Sequence, residues 1–134
     1  MKVLILAAFL GCTVALFDTK SNITVRGTVA CENVKTGGIK VDLMESGVIT
    51  DDLLNSTITE EFGKFELFGQ KKEFCKIEPF LYIYHNCRTI RPGCQTRSVY
   101  PIPANKLNSV YEMNFVILDI ATADEKPINC VKRR

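Results

Sequence analysis

The side chains with most chemical potential cluster around one aromatic run. Phe80 to Tyr84 is followed by the only histidine, His85, and then by Cys87 and Cys94, which bracket a Pro92-Gly93 turn. If Leu81 and Ile83 point into a core, His85 does too, because strand side chains alternate. As a general base it would need a nucleophile or a second histidine nearby, and none is evident in the sequence. The expectation is a packed histidine whose ring hydrogen-bonds a neighbouring backbone group. Cys75 lies among Lys72 and Lys76, where cations favour a reactive thiolate, but no His or Asn context supports catalysis. We expect it to be unpaired or bridged to another molecule. Asp51-Asp52 lacks the D-x-[DN]-x-[DN]-G pattern of a calcium loop and reads as a solvated turn. With no C-x-x-C pair, neither a metal site nor a cofactor is expected. Arg88, Arg91 and Arg97 make the loop after His85 basic, a candidate anion-binding loop for a lipid headgroup, a sulfated glycan or an acidic protein.

These residues must be positioned by a small secreted domain. Met1-Lys2 followed by apolar Val3 to Leu10 and small residues at Thr13-Val14-Ala15 reads as a secretory signal cleaved after Ala15. The apolar run falls short of the roughly 20 residues that span a bilayer, so no transmembrane segment is expected. The 119 residues from 16 to 134 suit one domain, soluble and extracellular. Near-neutral charge, +2 for the whole chain and +1 without Lys2, gives no field that would favour nucleic acid. Losing Cys12 with the signal leaves an odd set of five cysteines, most of which should be bridged in an oxidising compartment. The expected pairs are Cys87–Cys94, across the Pro-Gly turn, and Cys31–Cys130. Asn22 and Asn55 open N-glycosylation sequons.

The chain reads as about seven short strands with no helical period after the leader. Ile23 to Cys31 alternates β-formers with small or polar residues, and Ile39 to Glu45 alternates apolar with charged ones. Leu53-Leu54 reads as pinning a polar loop. Thr57 to Gly69 reads as a hairpin turning at Gly63, and Phe80 to Tyr84 as a central strand. Arg97 to Pro103, closed by two prolines, reads as an edge or early-ending strand. Val110 to Ile120 has apolar residues on both faces toward its end. The class is an all-β antiparallel sandwich of two sheets.

Several of these segments together resemble one family. Val25 to Cys31, Gly38 to Leu43, Asp51 to Leu54, Gly63 to Leu67, Ile77-Glu78-Pro79 and Tyr84 to Cys87 before Cys94-Gln95 are similar, in order and spacing, to the nematode transthyretin-like family. The resemblance covers roughly residues 23 to 120. It implies a transthyretin (prealbumin)-like β-sandwich, secretion and a role at a cell surface or host interface. It also implies that Cys31, Cys87, Cys94 and Cys130 are the family's cysteines, with Cys75 the odd one. Phe62 and Tyr82 depart from the family pattern as aromatics that would add apolar surface for a partner. The fold's hydroxyisourate hydrolase relatives use His and Arg residues and end in Tyr-Arg-Gly-Ser. This chain ends Val131-Lys132-Arg133-Arg134 and has one histidine. The expectation is therefore a non-enzymatic secreted binding protein with an extracellular protein, anionic lipid or glycan as partner. The alternative is a carrier of a small hydrophobic ligand or hormone through an oligomeric channel.

Overall fold

The computed structural model describes residues 19–47, 49–73 and 77–131, with the side chains of Thr19, Lys72 and Glu73 left aside. Among the described residues nine strands form two sheets. β1 (Thr19–Cys31) is the shared partner of β2 (Val34–Lys35), β5 (Lys64–Glu73) and β8 (Val110–Ile117). The second sheet runs β4 (Asp52–Ile58), β3 (Lys40–Glu45), β6 (Pro79–His85), β7 (Gln95–Pro101), β9 (Glu125–Ile128). The run Phe80–Tyr84 thus lies in the central strand, as its composition predicts.

Alternation builds the core. Ile23, Val25 and Val29 of β1, Phe65 and Leu67 of β5, Val41 and Leu43 of β3, and Leu81 and Ile83 of β6 turn inward and pack with Val116 and Leu118. Transfer of such side chains from water contributes roughly 1.5–3 kcal/mol each, which is what holds the two sheets face to face. One further tie is ionic: Lys71 of β5 meets Glu45 of β3 and Asp52 of β4. Lys71 holds the Asp52 carboxyl below its ordinary range, by hydrogen bond and by charge.

The topology corrects several expectations. Residues 57–69 are not a hairpin. Ile58 pairs with Lys40 and Lys64 with Thr28, so the turn at Gly63 hands the chain from one sheet to the other. A period of two specifies which side chains are inward, but is silent on whether the next strand is a ladder neighbour or lies across the core. Leu53-Leu54 belongs to strand β4 rather than a loop, and Asp52 opens that strand instead of sitting in a solvated turn. β8 pairs with β1 in parallel, so the sandwich is not wholly antiparallel. β7 is internal rather than an edge, because β9 covers its far side with Gln95 opposite Ile128, but it ends at Pro101, the first of the two prolines. Neither β9 nor two-residue β2 carries enough alternation to be read from sequence.

The disulfides use four of the expected cysteines in exchanged partnership: Cys31–Cys87, with Cα atoms 5.8 Å apart, and Cys94–Cys130, at 4.0 Å. Cys31 ends β1 and Cys87 follows β6, so the first bridge joins the two sheets at one end of the sandwich. Cys94 precedes β7 and Cys130 follows its antiparallel neighbour β9, which brings those two together. Closeness along the chain, the ground for expecting Cys87–Cys94, loses to the positions of strand ends. Cys75, the predicted cleavage at Ala15 and the basic residues 132–134 lie outside the described residues.

Candidate functional site

His85 is sealed in the core side of β6, 1% exposed. Its Nδ1 accepts the Cys87 amide at 3.2 Å, which leaves Nε2 to donate to Ser98 Oγ at 2.9 Å. Ser98 Oγ in turn donates to Glu125 Oε2 at 3.0 Å, and Arg88 donates to the same oxygen. Arg88 Nε also reaches the Leu118 carbonyl at 3.1 Å. The ring therefore bonds a neighbouring amide, as expected. It also heads a chain of four polar groups that fastens the Cys87 loop, β7 and β9 together. Sequence reasoning missed Ser98 and Glu125 because their meeting depends on β9.

Burial pushes His85 below its ordinary value of 6.5, the Arg88 charge adds to this, and Glu125 opposes it. The unfolded chain then binds a proton that the folded one resists, so this contribution is full above about pH 6.5 and lost as pH falls through the folded value. Glu125 moves in the same sense at lower pH. Burial alone would raise it, but hydrogen bonds from Arg88 and Ser98 outweigh that and hold it below the usual carboxylate range. Melting temperature should therefore decline from about pH 7 to 5. In His85→Gln the overall stability should be lower and that first decline flattened, and an unchanged pH profile in the variant would contradict the assignment.

The three arginines of the expected anion-binding loop do not converge. Arg88 is committed to Glu125, Arg91 is exposed in the turn, and Arg97 sits on β7 with its guanidinium 4.1 Å from the Tyr82 ring centre. Arg97 instead joins a row that crosses the outer face of the five-stranded sheet. Register places Lys40 opposite Tyr84, Tyr84 opposite Arg97, and Arg97 opposite Lys126. At a strand spacing of about 4.8 Å the row is roughly 14 Å long. The Lys40 ammonium lies 5.1 Å from the Tyr84 ring centre. Lys126 was invisible to sequence reasoning for the same reason as β9. Lys40 was visible as an outward residue, but not its neighbours.

Next to the row runs an aromatic ladder. Phe80, Tyr82 and Tyr84 meet edge to face, with centroids 5.0 and 6.2 Å apart. Asp42, 6% exposed, lies beneath it and takes a 2.5 Å hydrogen bond from Ser56 Oγ. Burial, and then the Asp42 charge, raise the Tyr84 phenol above its ordinary value. Beyond Tyr82 the face ends in an open groove of about 490 Å³ with Phe80, Tyr82 and Val99 among its walls and Asp51, Glu78 and Asp124 among its acidic residues. Tyr82 donates to Asp51 across 3.5 Å. Leu53 and Ile58, both more than half exposed, add apolar area on the β4 side. Phe62, the other aromatic singled out by sequence, is 67% exposed at the Gly63 turn, away from this face.

Of the sequon residues, Asn55 is exposed and its Nδ2 donates to the Phe68 carbonyl at 2.9 Å, leaning away from the face. Asn22 is half-buried within β1. Among the described residues one group, Cys31, Cys87 and Asp119, has donor atoms close enough for a shared ion, but its sulfurs are bonded to each other.

This sandwich, with its bridges between strand ends, has counterparts in sequence. The TTR-52 transthyretin-like family model matches residues 26–103. The chain belongs to the transthyretin-like family. It is 34% identical to Transthyretin-like protein 16 of Caenorhabditis elegans over 124 residues, covering 92% of this chain and 91% of the relative. It is 33% identical to Transthyretin-like protein 5 of the same animal over 110 residues, covering 81% and 79%. Transthyretin-like protein 2 aligns at 32% over 118 residues, covering 81% and 80%. A solved 9R-lipoxygenase from Cyanothece overlays with a TM-score of 0.44 at 13% identity, over 87% of this chain and 20% of its own, too slight a likeness to bear on activity. The family match begins at β1 and ends just after β7, so β8, β9 and with them Lys126 and Asp124 fall outside the matched region.

Proposed function

We propose that this transthyretin-like chain is a secreted, non-enzymatic binding module whose working surface is the outer face of the five-stranded sheet. The observation that carries the reading is the row Lys40–Tyr84–Arg97–Lys126 with its aromatic ladder. Interfaces between proteins are enriched in Tyr and Arg at their centres and polar at their rims, and this face has both. Carboxylates at Asp51, Glu78 and Asp124 on the same face favour a protein partner over an anionic lipid or glycan, which would profit from a single sign of charge. The leader-like residues 1–15 and the two sequons support secretion, and exposure makes Asn55 the better glycan acceptor.

Support for catalysis is thin, since Ser98 and His85 are at or below 1% exposure and a nucleophile must be reached by its substrate. A carrier role draws on an apolar groove by β8, with Tyr111, Met113 and Phe115 among its walls, but its 250 Å³ is below the roughly 300–1,000 Å³ of ordinary ligand sites. Affinity capture from extracellular fluid tests the reading. The intact chain should retain a partner saturably, and Tyr84→Ala with Arg97→Ala should weaken retention by about tenfold or more at unchanged fold. Equal retention by the variant, or a robust turnover in place of binding, would sink it.

A further inference from the structure

Two arginines stand in mid-strand on the outer faces of the two sheets, and their neighbours differ in sign. Arg26 of β1 lies opposite Glu66 on one side and Glu112 on the other, and it pairs with them at 3.5 and 3.1 Å. Arg97 of β7 lies opposite Tyr84 on one side and Lys126 on the other. Directly opposed residues have Cβ atoms about 4.5–5.5 Å apart, and like charges placed so destabilise a sheet. Among the described residues no carboxylate lies within 4 Å of Arg97 or of Lys126. Asp124 is two residues before Lys126, and its carbonyl accepts the Val99 amide, but its carboxylate forms no ion pair with either cation. Lys40, the third cation of the row, has Asp42 at 3.9 Å and is already answered.

Arg97 is also held in place. Its guanidinium lies 4.1 Å from the Tyr82 ring centre, a stack that engages its face and leaves its N–H edges for hydrogen bonds. The Arg97 Nε is buried and, among the described residues, has no acceptor. A buried donor left unmet costs free energy, and so does the repulsion from Lys126. One ligand group would relieve both. A planar carboxylate matches the guanidinium fork with two parallel hydrogen bonds, and an ammonium beside it adds a point charge of the right sign.

We infer that Arg97 and Lys126 form a carboxylate site, filled by an aspartate or glutamate side chain of a protein partner. This rests on the reading of the outer face as the working surface and names what the partner brings to it. A sulfated glycan or a lipid surface carries many like charges and would meet Asp51, Glu78 and Asp124 on the same face, whereas one side-chain carboxylate engages the pair alone.

Lys126→Glu in the full chain tests it, because Lys126 is exposed and the change turns a repulsion into an ion pair. The variant should melt about 2–4 °C above the wild type at low salt. Acetate, titrated at an ionic strength held constant with chloride, should shift the Arg97 Nε–H resonance saturably in the wild type, with a midpoint below about 100 mM. In Lys126→Glu that midpoint should rise about tenfold or more. Retention of the extracellular partner should fall about tenfold in the same variant despite its higher stability. Protease treatment of the fluid should abolish retention by the wild type, and glycosaminoglycan lyase or delipidation should leave it intact. A variant no more stable than the wild type, an acetate response unchanged in Lys126→Glu, or a partner removed by the lyase or with the lipid overturns the inference. Retention unchanged in Lys126→Glu but lost in Y84A/R97A overturns the carboxylate site and leaves the working face standing. Retention unchanged in both variants removes the face as well.

Discussion

Replacing both cysteines of the bridge between the sheets, C31A/C87A, should cost about 4 kcal/mol of stability, the chain-entropy value for a closed loop of this size. The bridge spans 56 residues of sequence. For a domain of this length that corresponds to a fall of about 15 °C in melting temperature, read by calorimetry at neutral pH. Since small domains have only about 5–15 kcal/mol in hand, the variant should be near the limit of stable folding. C94A/C130A removes a bridge that closes a 36-residue separation and should cost nearly as much by the same reasoning, but with a different structural result. It releases β9, and with it Lys126 and Asp124, so this variant should lose the binding face as well as stability. If C31A/C87A melts within a few degrees of the intact chain, the first bridge is not holding the sheets together.

Gly63→Ala should cost about 3 kcal/mol, a large effect for one added methyl. Gly63 has φ +83°, and a methyl there would stand 2.4 Å from the Val29 carbonyl oxygen and 3.1 Å from the Thr36 amide nitrogen. Those are backbone atoms of β1 and the segment after β2, and Val29 donates its amide to the Gly63 carbonyl at 2.8 Å. The turn cannot move aside without breaking the point at which the chain passes from one sheet to the other. Gly38 provides the control: its φ is +76°, but nothing lies within 4 Å of the added methyl. Gly38→Ala should therefore cost only the left-handed conformation, about 1–2 kcal/mol. Equal denaturant midpoints for the two variants would show that the close approach at Gly63 does not matter.

The contrast between what could and could not be read in the sequence has one physical source. Alternation along Ile23–Cys31, Ile39–Glu45 and Phe80–Tyr84 gave the strands, their inward residues and the buried setting of His85, because burial is a local property of a strand with one wet face. Pairing is not local. The same alternation is compatible with a hairpin or a crossing at Gly63, and with parallel or antiparallel packing of β8. The cysteines show this most clearly: the four that are bridged were evident from the resemblance, but Cys87 pairs with Cys31 because β1 and β6 end at the same edge of the sandwich. The residues of the candidate face fared likewise. Arg97 was visible as a cation and Tyr82 as an unusual aromatic, but their stacking and the row with Lys40 and Lys126 arise from register across four strands. β9 supplies Glu125 and Lys126 from a segment, Glu125–Ile128, with a proline at its third position and too few residues to show a period.

We propose that this transthyretin-like chain binds its partner through the outer face of the five-stranded sheet. Hydroxyl-radical footprinting tests it directly, comparing the chain at high dilution in buffer with the same chain in extracellular fluid. The face predicts protection of Tyr82 and Tyr84 in the fluid, with Phe62 and Phe115, exposed elsewhere at 67% and 60%, oxidised equally in both. Protection of Phe62 or Phe115 with no change at Tyr82 and Tyr84 would contradict it.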